Sequence, residues 1–320
     1  MKPLVSVIIP TYNVGRYIEG ALRSALGQTL GNLEVLVVDD ASTDDTVARV
    51  KAQADSRVRL FVNEGNKGPS FSRNRAIAES RGEWIAVLDG DDWWAEDRLE
   101  RLYETAVREK ADLICDDLYF IQDGAELPWT TLFRERGMRP TEGWVAPAQF
   151  VRWDLGLVKP LMHRQRLLES GVRYPEALRF GEDFVFLFTW LRRGASMWLA
   201  PKAYYYYRNR RESLVHDKIP LHQQVYDIAV ELLAKVDRSR EPEIYQALSD
   251  RVSHARQLVD YYRVVQPLKE KKVHIALAEV LKHPRVIVSF LRLLPGVLRY
   301  QLAHRRERGG AEEGSPLHLP

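Results

Sequence analysis

The chain has 320 residues, 45% of them hydrophobic and 28% charged, with a formal charge of +3 at pH 7. This is the composition of a soluble globular protein with one large domain and an appendage, and the near-neutral balance gives no argument for a nucleic-acid partner, so none is expected. One cysteine, Cys115, excludes an internal disulfide and a cysteine-rich metal site, and no apolar run reaches the roughly 18 residues of a membrane-spanning helix.

The opening segment, MKPLVSVIIPTYN, has a proline inside its apolar run and no signal-peptide cleavage pattern, so a cytoplasmic protein is expected. Val5 to Ile9 is a β-branched run that reads as a buried strand. Gly15 to Leu30 has helical apolar spacing, through Tyr17, Ile18, Ala21, Leu22, Ala25 and Leu26. Leu33 to Val38 is a second strand, ending in Asp39 and Asp40. Ser42 and Thr43 read as a helix N-cap, with Asp44 and Asp45 in the first turn, where the helix dipole favours negative charge. Val58 to Val62 is a third strand, Pro69 to Ser80 a helix and Trp84 to Leu88 a fourth strand. Strands alternating with helices predict an α/β fold with a mostly parallel central sheet.

Ala111 to Phe120 reads as a further strand. Gln122 to Gln149 mixes prolines, glycines and tryptophans without a period and reads as a long surface excursion. Leu161 to Ser170 and Asp183 to Arg193 read as helices, and Tyr204 to Arg208 as an aromatic strand packed in the core. Beyond Asp217 the pattern becomes helical and highly charged. The expected domains are therefore 1–217, a helical region over 218–307, and a disordered Gly/Glu-rich tail over 308–320.

Polar residues gather where strands end: Thr11 to Asn13, Asp39 and Asp40, and Asp89 to Asp92. Open α/β sheets bind ligands at that edge. No GxGxxG follows a strand and no GxxxxGK[ST] occurs, so a dinucleotide oxidoreductase and a P-loop enzyme lack their signatures. In VLDGDDWW the three carboxylates of Asp89, Asp91 and Asp92 repel one another unless something neutralises them. Two readings compete. One is a Mg²⁺-type cation, which takes one or two carboxylates plus substrate phosphates. The other is a set of N-caps for a helix over Ala95 to Val107.

VSVIIPTYNVGRYIEGALRSALGQTLGNLEVLVVDDASTDDT closely resembles the start of family 2 glycosyltransferases, which have the GT-A fold. VLDGDDWWAEDRLERL resembles their DxD region and FGEDFVFLF their ED motif, and the resemblance runs from Leu4 to about His216. It implies a metal-dependent, inverting transfer of one sugar from a nucleotide-diphosphate sugar to a hydroxyl of a glycan or lipid-linked acceptor. Bacterial envelope enzymes of this type suggest exopolysaccharide, capsule or cell-envelope synthesis. Pro10, Thr11 and Tyr12 would line the nucleotide pocket, Asp40 would read the base, and Arg73 would face the nucleotide or its diphosphate. Asp89 and Gly90 belong to the DxD turn. Asp89 and Asp91, with Asp92 sharing, would hold Mn²⁺ or Mg²⁺, and His216 would approach the metal or diphosphate. Asp183 would be the general base, and Lys159 and His163 would lie towards the acceptor. Asp40 suits a UDP- or GDP-sugar, since uracil and guanine both present a ring N–H.

Each role has a plainer rival. Asp183 and Glu182 are also a helix-start pair, Asp40 a cap before Ser42, Arg73 or Arg75 a surface arginine, and Trp93 and Trp94 core residues rather than a wall that excludes water. Processive members of the family carry membrane-spanning helices, and no apolar run of that length occurs in this sequence, which favours transfer of a single sugar. Arg285, Arg292, Arg299 and Arg306 recur every seven residues with Lys271 in phase, a basic stripe if one helix runs through them. Peripheral membrane contact competes there with packing or a dimer contact. A sugar nucleotidyltransferase and an inactive glycosyltransferase-like binding subunit are the alternative functions.

Overall fold

The β-branched runs of the first half build one sheet. A computed structural model describes residues 2–210, 218–283 and 286–287, and the chain divides into two compact units, 1–213 and 214–320. In the first unit β1 (Val5–Thr11), α1 (Gly15–Leu26), β2 (Leu33–Asp39), α2 (Thr46–Ala52), β3 (Val58–Val62), α3 (Pro69–Glu79) and β4 (Trp84–Val87) alternate. There follow β5 (Trp93–Trp94), α4 (Arg98–Glu109), β6 (Leu113–Gln122), β7 (Thr130–Thr131), α5 (Leu132–Glu135), β8 (Gly143–Trp144) and α6 (Pro147–Arg152). β9 (Leu161–His163), α7 (Arg164–Ser170), α8 (Glu182–Arg192) and β10 (Met197–Asn209) complete it.

The strand order is β3-β2-β1-β4-β9-β6-β10-β5, with β7 beside β6 and β8 beside β10. β1 to β4 are mutually parallel. β9 is antiparallel to both β4 and β6, and β10 is parallel to β6, so the six long strands all point one way. The sheet is mostly parallel, as its β-branched runs predict. Every residue of β2 is buried, and Ile18, Ala21, Leu22 and Ala25 bury the inner stripe of α1. β10 is longer than its aromatic run suggests. Its pairing with β6 shifts register between Leu199 and Tyr205, an irregularity that accommodates Pro201.

Three expectations change. Leu161 to His163 form a strand rather than the start of a helix. Leu161 and Met162 are fully buried between β4 and β6, where a three-residue strand fills the ladder. The stretch from Gln122 to Gln149 is no surface excursion, because it carries β7, α5 and β8 and buries Leu132, Phe133, Val145 and Ala148. Ser42 and Thr43 do not cap α2, which begins at Thr46. Ser42 donates to Asp39 through N and Oγ, and Thr43 N donates to Asn13 Oδ1 at 2.8 Å. Asp44 accepts from Thr46 N at 3.0 Å through Oδ1 and from Gly15 N at 2.9 Å through Oδ2, and so joins the start of α2 to that of α1.

The second unit has α9 (Lys218–Ala234), α10 (Pro242–Lys269) and α11 (Val273–Lys282). Tyr261 and Tyr262 form one small core with Ile219 and Val265, and Val264, Ala276 and Val286 a second. Lys271 has φ 60° in the break between α10 and α11, so it does not continue a helix. Arg285, Arg292, Arg299 and Arg306 lie outside the described residues.

The strand assignment of β9 is testable. Leu161→Ala should cost about 2–5 kcal/mol of unfolding free energy in urea, as a fully buried leucine does. A loss under about 0.5 kcal/mol, typical of a surface helix position, would contradict it.

Candidate active site

The parallel strands end at one edge, and their loops meet there. β9 runs the opposite way, with Leu161 beside Ala86 and His163 beside Trp84. Lys159, two residues before β9, therefore emerges at the edge where β4 gives way to Asp89. His163 lies at the far end of the strand, its ring 5.0 Å from that of Trp84, and takes no part in this edge.

Two buried cations and three carboxyl groups meet at that edge. Lys159 Nζ donates to Asp183 Oδ2 at 2.6 Å and pairs with Asp89 Oδ2 at 3.0 Å. Arg73, on α3, donates to Asp89 Oδ1 at 2.9 Å and to Glu182 Oε1 at 2.8 Å, and stands 3.7 Å from Asp183 Oδ1. The side chains of Lys159 and Arg73 are only 3% and 5% exposed. Burial alone would raise the Asp89 carboxyl, but the charges of Lys159 and Arg73 hold it well below the usual carboxylate range. Burial would likewise lower Lys159, yet Asp183 and Asp89 push it above an ordinary lysine. Glu182 is raised, by burial and then by the neighbouring Asp183.

Gly181 makes this possible on the α8 side. Its φ of 75° is left-handed, and it turns the chain so that Glu182 and Asp183 occupy the first turn of α8. Asn74 fixes the preceding loop, donating to Tyr174 O and accepting from Tyr174 N, each at 2.9 Å. The helix-start reading of the acidic pair is thus true, and it coexists with membership of the ion cluster.

The remaining acids of VLDGDDWW behave differently from one another. Asp92 is 2% exposed. Its Oδ2 accepts from Tyr205 Oη at 2.8 Å and its Oδ1 from Arg208 N at 2.7 Å. Asp92 therefore ties the turn to β10, and its carboxylate is not presented as a metal ligand. Asp91 pairs with Arg210 Nε at 2.6 Å. Burial, assisted by repulsion from Asp89, raises its proton affinity despite Arg210. Gly90 packs where a Cβ would stand 2.9 Å from Thr11 Cγ2 and 3.3 Å from Pro10 O, so only glycine lets the turn lie against β1. None of the three acids caps α4. The Leu99 amide of its first turn donates to Gln28 Oε1 at 2.9 Å.

No three acidic, histidine or cysteine side chains converge in a metal-binding arrangement among the described residues. A Mg²⁺-type ion needs only one or two carboxylates if phosphate oxygens complete its shell. Asp91 fits that demand, being a carboxylate in direct contact with one cation, Arg210. Asp89 is engaged by Lys159 and Arg73 and Asp92 by β10, so neither fits as it stands. His216 lies outside the described residues.

On the β1–β2 side, the Thr11 hydroxyl is buried and donates to Asp39 Oδ2 at 3.1 Å, so it builds the floor rather than an open wall. Pro10 is half-buried, and Tyr12 is 47% exposed beside it. Asp40 does not cap α2. It accepts from Asn63 Nδ2 at 2.8 Å, Lys67 N at 2.9 Å and Gly68 N at 2.7 Å, and so pins the loop between β3 and α3. Arg75 bonds Val62 O and Asn63 Oδ1 and supports the same loop. Trp93 and Trp94 form β5 against β10. Trp94 is buried, and Trp93 stacks on Tyr206 at 5.1 Å.

Residues 6–153 match the family description "Glycosyl transferase family 2". The chain carries a family 2 glycosyl transferase domain. Lys159, Glu182 and Asp183 lie just beyond the matched residues of that domain. The succinoglycan biosynthesis protein ExoO of Rhizobium meliloti (strain 1021) is 37% identical over 221 residues, 66% of this chain and 62% of ExoO. The match thus spans less than two thirds of that relative's length. Residues 1–349 of S. aureus TarS, solved with UDP-GlcNAc, superpose with a TM-score of 0.61 at 21% identity, covering 89% of this chain and 92% of that one. The mannosyltransferase PcManGT of Pyrobaculum calidifontis, solved with GDP-Man and Mn²⁺, gives 0.58 at 19%, covering 88% and 76%. The two solved structures share the fold, a mostly parallel central sheet flanked by helices.

The sequence reading placed Lys159 only loosely and took Glu182 for a helix-start acid. Neither Arg210 nor the tie from Tyr205 to the acidic turn is expected from the sequence, because nothing local marks an arginine or a tyrosine that a distant strand brings to the edge. The different duties of the two neighbouring acids give a test. Asp92→Ala should destabilise the protein by about 1–3 kcal/mol, since Tyr205 Oη and Arg208 N lose a buried acceptor. Asp91→Ala should leave the unfolding midpoint nearly unchanged. Equal losses in a denaturation series would contradict the distinction.

Proposed function

We propose that this protein is an inverting, nonprocessive glycosyltransferase that moves one sugar from a nucleotide-diphosphate sugar to a hydroxyl of a glycan or lipid-linked acceptor. The observation that carries the reading is the cluster joining Asp89, at the end of β4, to Asp183, at the start of α8, through Lys159 and Arg73. One end faces the turn where a leaving diphosphate would sit, and the other carries a carboxylate suited to an attacking hydroxyl. The ExoO relative supports a place in polysaccharide synthesis.

Asp183 is the general base in this reading. Taking the acceptor proton as the hydroxyl attacks the anomeric carbon is worth typically about 10²–10⁴-fold. In this reading the acceptor hydroxyl attacks that carbon directly, opposite the leaving group, and so inverts the configuration. Pro10, Tyr12 and Asp40 form the side on which the nucleotide base would lie, with UDP or GDP as the nucleotide. Asp91 would hold Mn²⁺ or Mg²⁺ together with phosphate oxygens. The bound ion would offset charge gathering on the leaving diphosphate. Arg73 and Lys159 keep Asp89, Glu182 and Asp183 fixed while this happens.

Contact with a membrane surface is part of the proposal. α11 exposes Val273, Leu277 and Leu281, at 53%, 58% and 80%, beside the exposed lysines Lys271, Lys272 and Lys282. Apolar side chains beside basic ones suit an anionic lipid interface.

Three measurements test these statements. In a thermal-shift titration with UDP, GDP, CMP and dTDP, with and without Mn²⁺ or Mg²⁺, UDP or GDP should stabilise the protein only with the ion. Asp91→Ala should lose that metal-dependent shift. Asp183→Asn should keep it while transfer falls at least about a hundredfold. A fully active Asp183→Asn enzyme would remove the base from the mechanism. For the membrane contact, Leu277→Ser with Leu281→Ser should weaken sedimentation with phosphatidylglycerol vesicles without unfolding the protein. Unchanged sedimentation would dismiss it.

A further inference from the structure

Beneath the ion cluster lies a second ion pair that the chemistry does not touch. Arg98, on the first turn of α4, and Asp116, on β6, both have fully buried side chains. They form a two-point bond, Nε to Oδ2 at 3.0 Å and Nη2 to Oδ1 at 2.7 Å. Burying such a pair costs several kcal/mol of desolvation per ion and often adds nothing to stability over an apolar replacement. Its presence therefore calls for another account.

The contacts of Arg98 supply one. Its Nη2 also donates to the carbonyl oxygen of Lys159. Its guanidinium lies 4.7 Å from the Trp94 ring centroid and 5.2 Å from that of Tyr205. Nη1 is buried with no hydrogen-bond partner among the described residues, so these ring faces are its neighbouring electron-rich groups. Tyr205 in turn accepts from Asp89 N at 3.1 Å and donates to Asp92. One guanidinium thus holds the backbone of Lys159 and the ring on which the Asp89–Asp92 turn hangs.

We propose that the buried Arg98–Asp116 pair is a positioning unit for the transfer centre, holding Lys159 by its carbonyl so that Nζ stands between Asp89 and Asp183. The inference rests on the glycosyltransferase reading above for its catalytic consequence, but not for its geometry. Arg98 is a positioning residue. It reaches the site through Lys159 and Tyr205 and touches no reacting group. Asp116 fixes the guanidinium plane, and a lysine at 98 could not reproduce the fork that meets Asp116 and Lys159 O together.

Arg98→Met alone would strand the Asp116 carboxylate and risk unfolding, so the test uses Arg98→Met with Asp116→Leu, which removes both charges. The substrates are UDP-glucose, UDP-N-acetylglucosamine and GDP-mannose with Mn²⁺, and the readout is released nucleoside diphosphate. The folded double variant should keep KM within about threefold and lose about a hundredfold in kcat, the scale of a small misplacement of catalytic groups. Lys159→Met should cost a similar factor in the wild-type protein and almost nothing further in the double variant, because the two act through one contact. Wild-type kcat in the double variant, or multiplicative losses in the triple variant, would overturn the proposal. A crystal structure of the double variant decides independently of turnover. Lys159 Nζ withdrawn from Asp89 and Asp183 supports the proposal, and Nζ still bonded to both overturns it. If the wild-type chain releases no nucleoside diphosphate from any donor, the transfer reading fails, and the crystal structure still judges the positioning unit.

Discussion

Arg73 and Lys159 set two positive charges against the carboxyl groups of Asp89, Glu182 and Asp183. Removed from water, each of these groups would be costly alone, and an unpaired buried charge is among the most destabilising features a fold can carry. The pairings make the cluster indivisible. Each cation binds two acids from separate elements, so α3, the end of β4, the approach to β9 and the start of α8 must arrive together. The rest of the first unit can be understood as what brings them there.

Topology makes the meeting possible. Parallel strands deliver all their loops to one edge, and the single reversed strand β9 delivers the residue before it to the same place. A helix at Leu161 would have pointed Lys159 elsewhere. The DGD turn is held from below by Tyr205 and Arg208 and from the side by the close approach of Gly90 to β1, so its three acids have separate environments. One is locked to Lys159 and Arg73, one pairs with Arg210, and one is bonded to β10 inside the fold. Adjacent aspartates in sequence are thereby given different chemistry.

The same separation bears on function. In the proposed transfer Asp89 and Asp183 would serve opposite sides of the reaction, and both pair with Lys159. One ammonium group thus neutralises both carboxylates, at 3.0 and 2.6 Å. The buried pair of Arg98 and Asp116 touches Lys159 O and the Tyr205 ring, and the proposed role for it is geometric rather than stabilising. Rigid placement, rather than affinity, is what these interior charges contribute.

Periodicity and composition by themselves determined the mostly parallel sheet, the helices α1, α3 and α8, the helical character of the second unit, and the gathering of acids at strand ends. β-branched runs and helical stripes are local signals, and they survive folding unchanged. The motif spelling VLDGDDWW and the pair Glu182–Asp183 likewise contain acids that meet in one ion cluster. Which acid does what was not local. The sequence alone could not show that Asp92 turns inward, that Asp40 pins the loop after β3, or that Lys159 reaches the site while His163, four residues on, is carried to the opposite end of a strand. Those outcomes depend on partners between about 20 and 120 residues away, such as Asn63 for Asp40 and Tyr205 for Asp92. Only the tertiary structure brings such partners within hydrogen-bonding distance, because a short strand between two others reads, residue by residue, like the start of a helix.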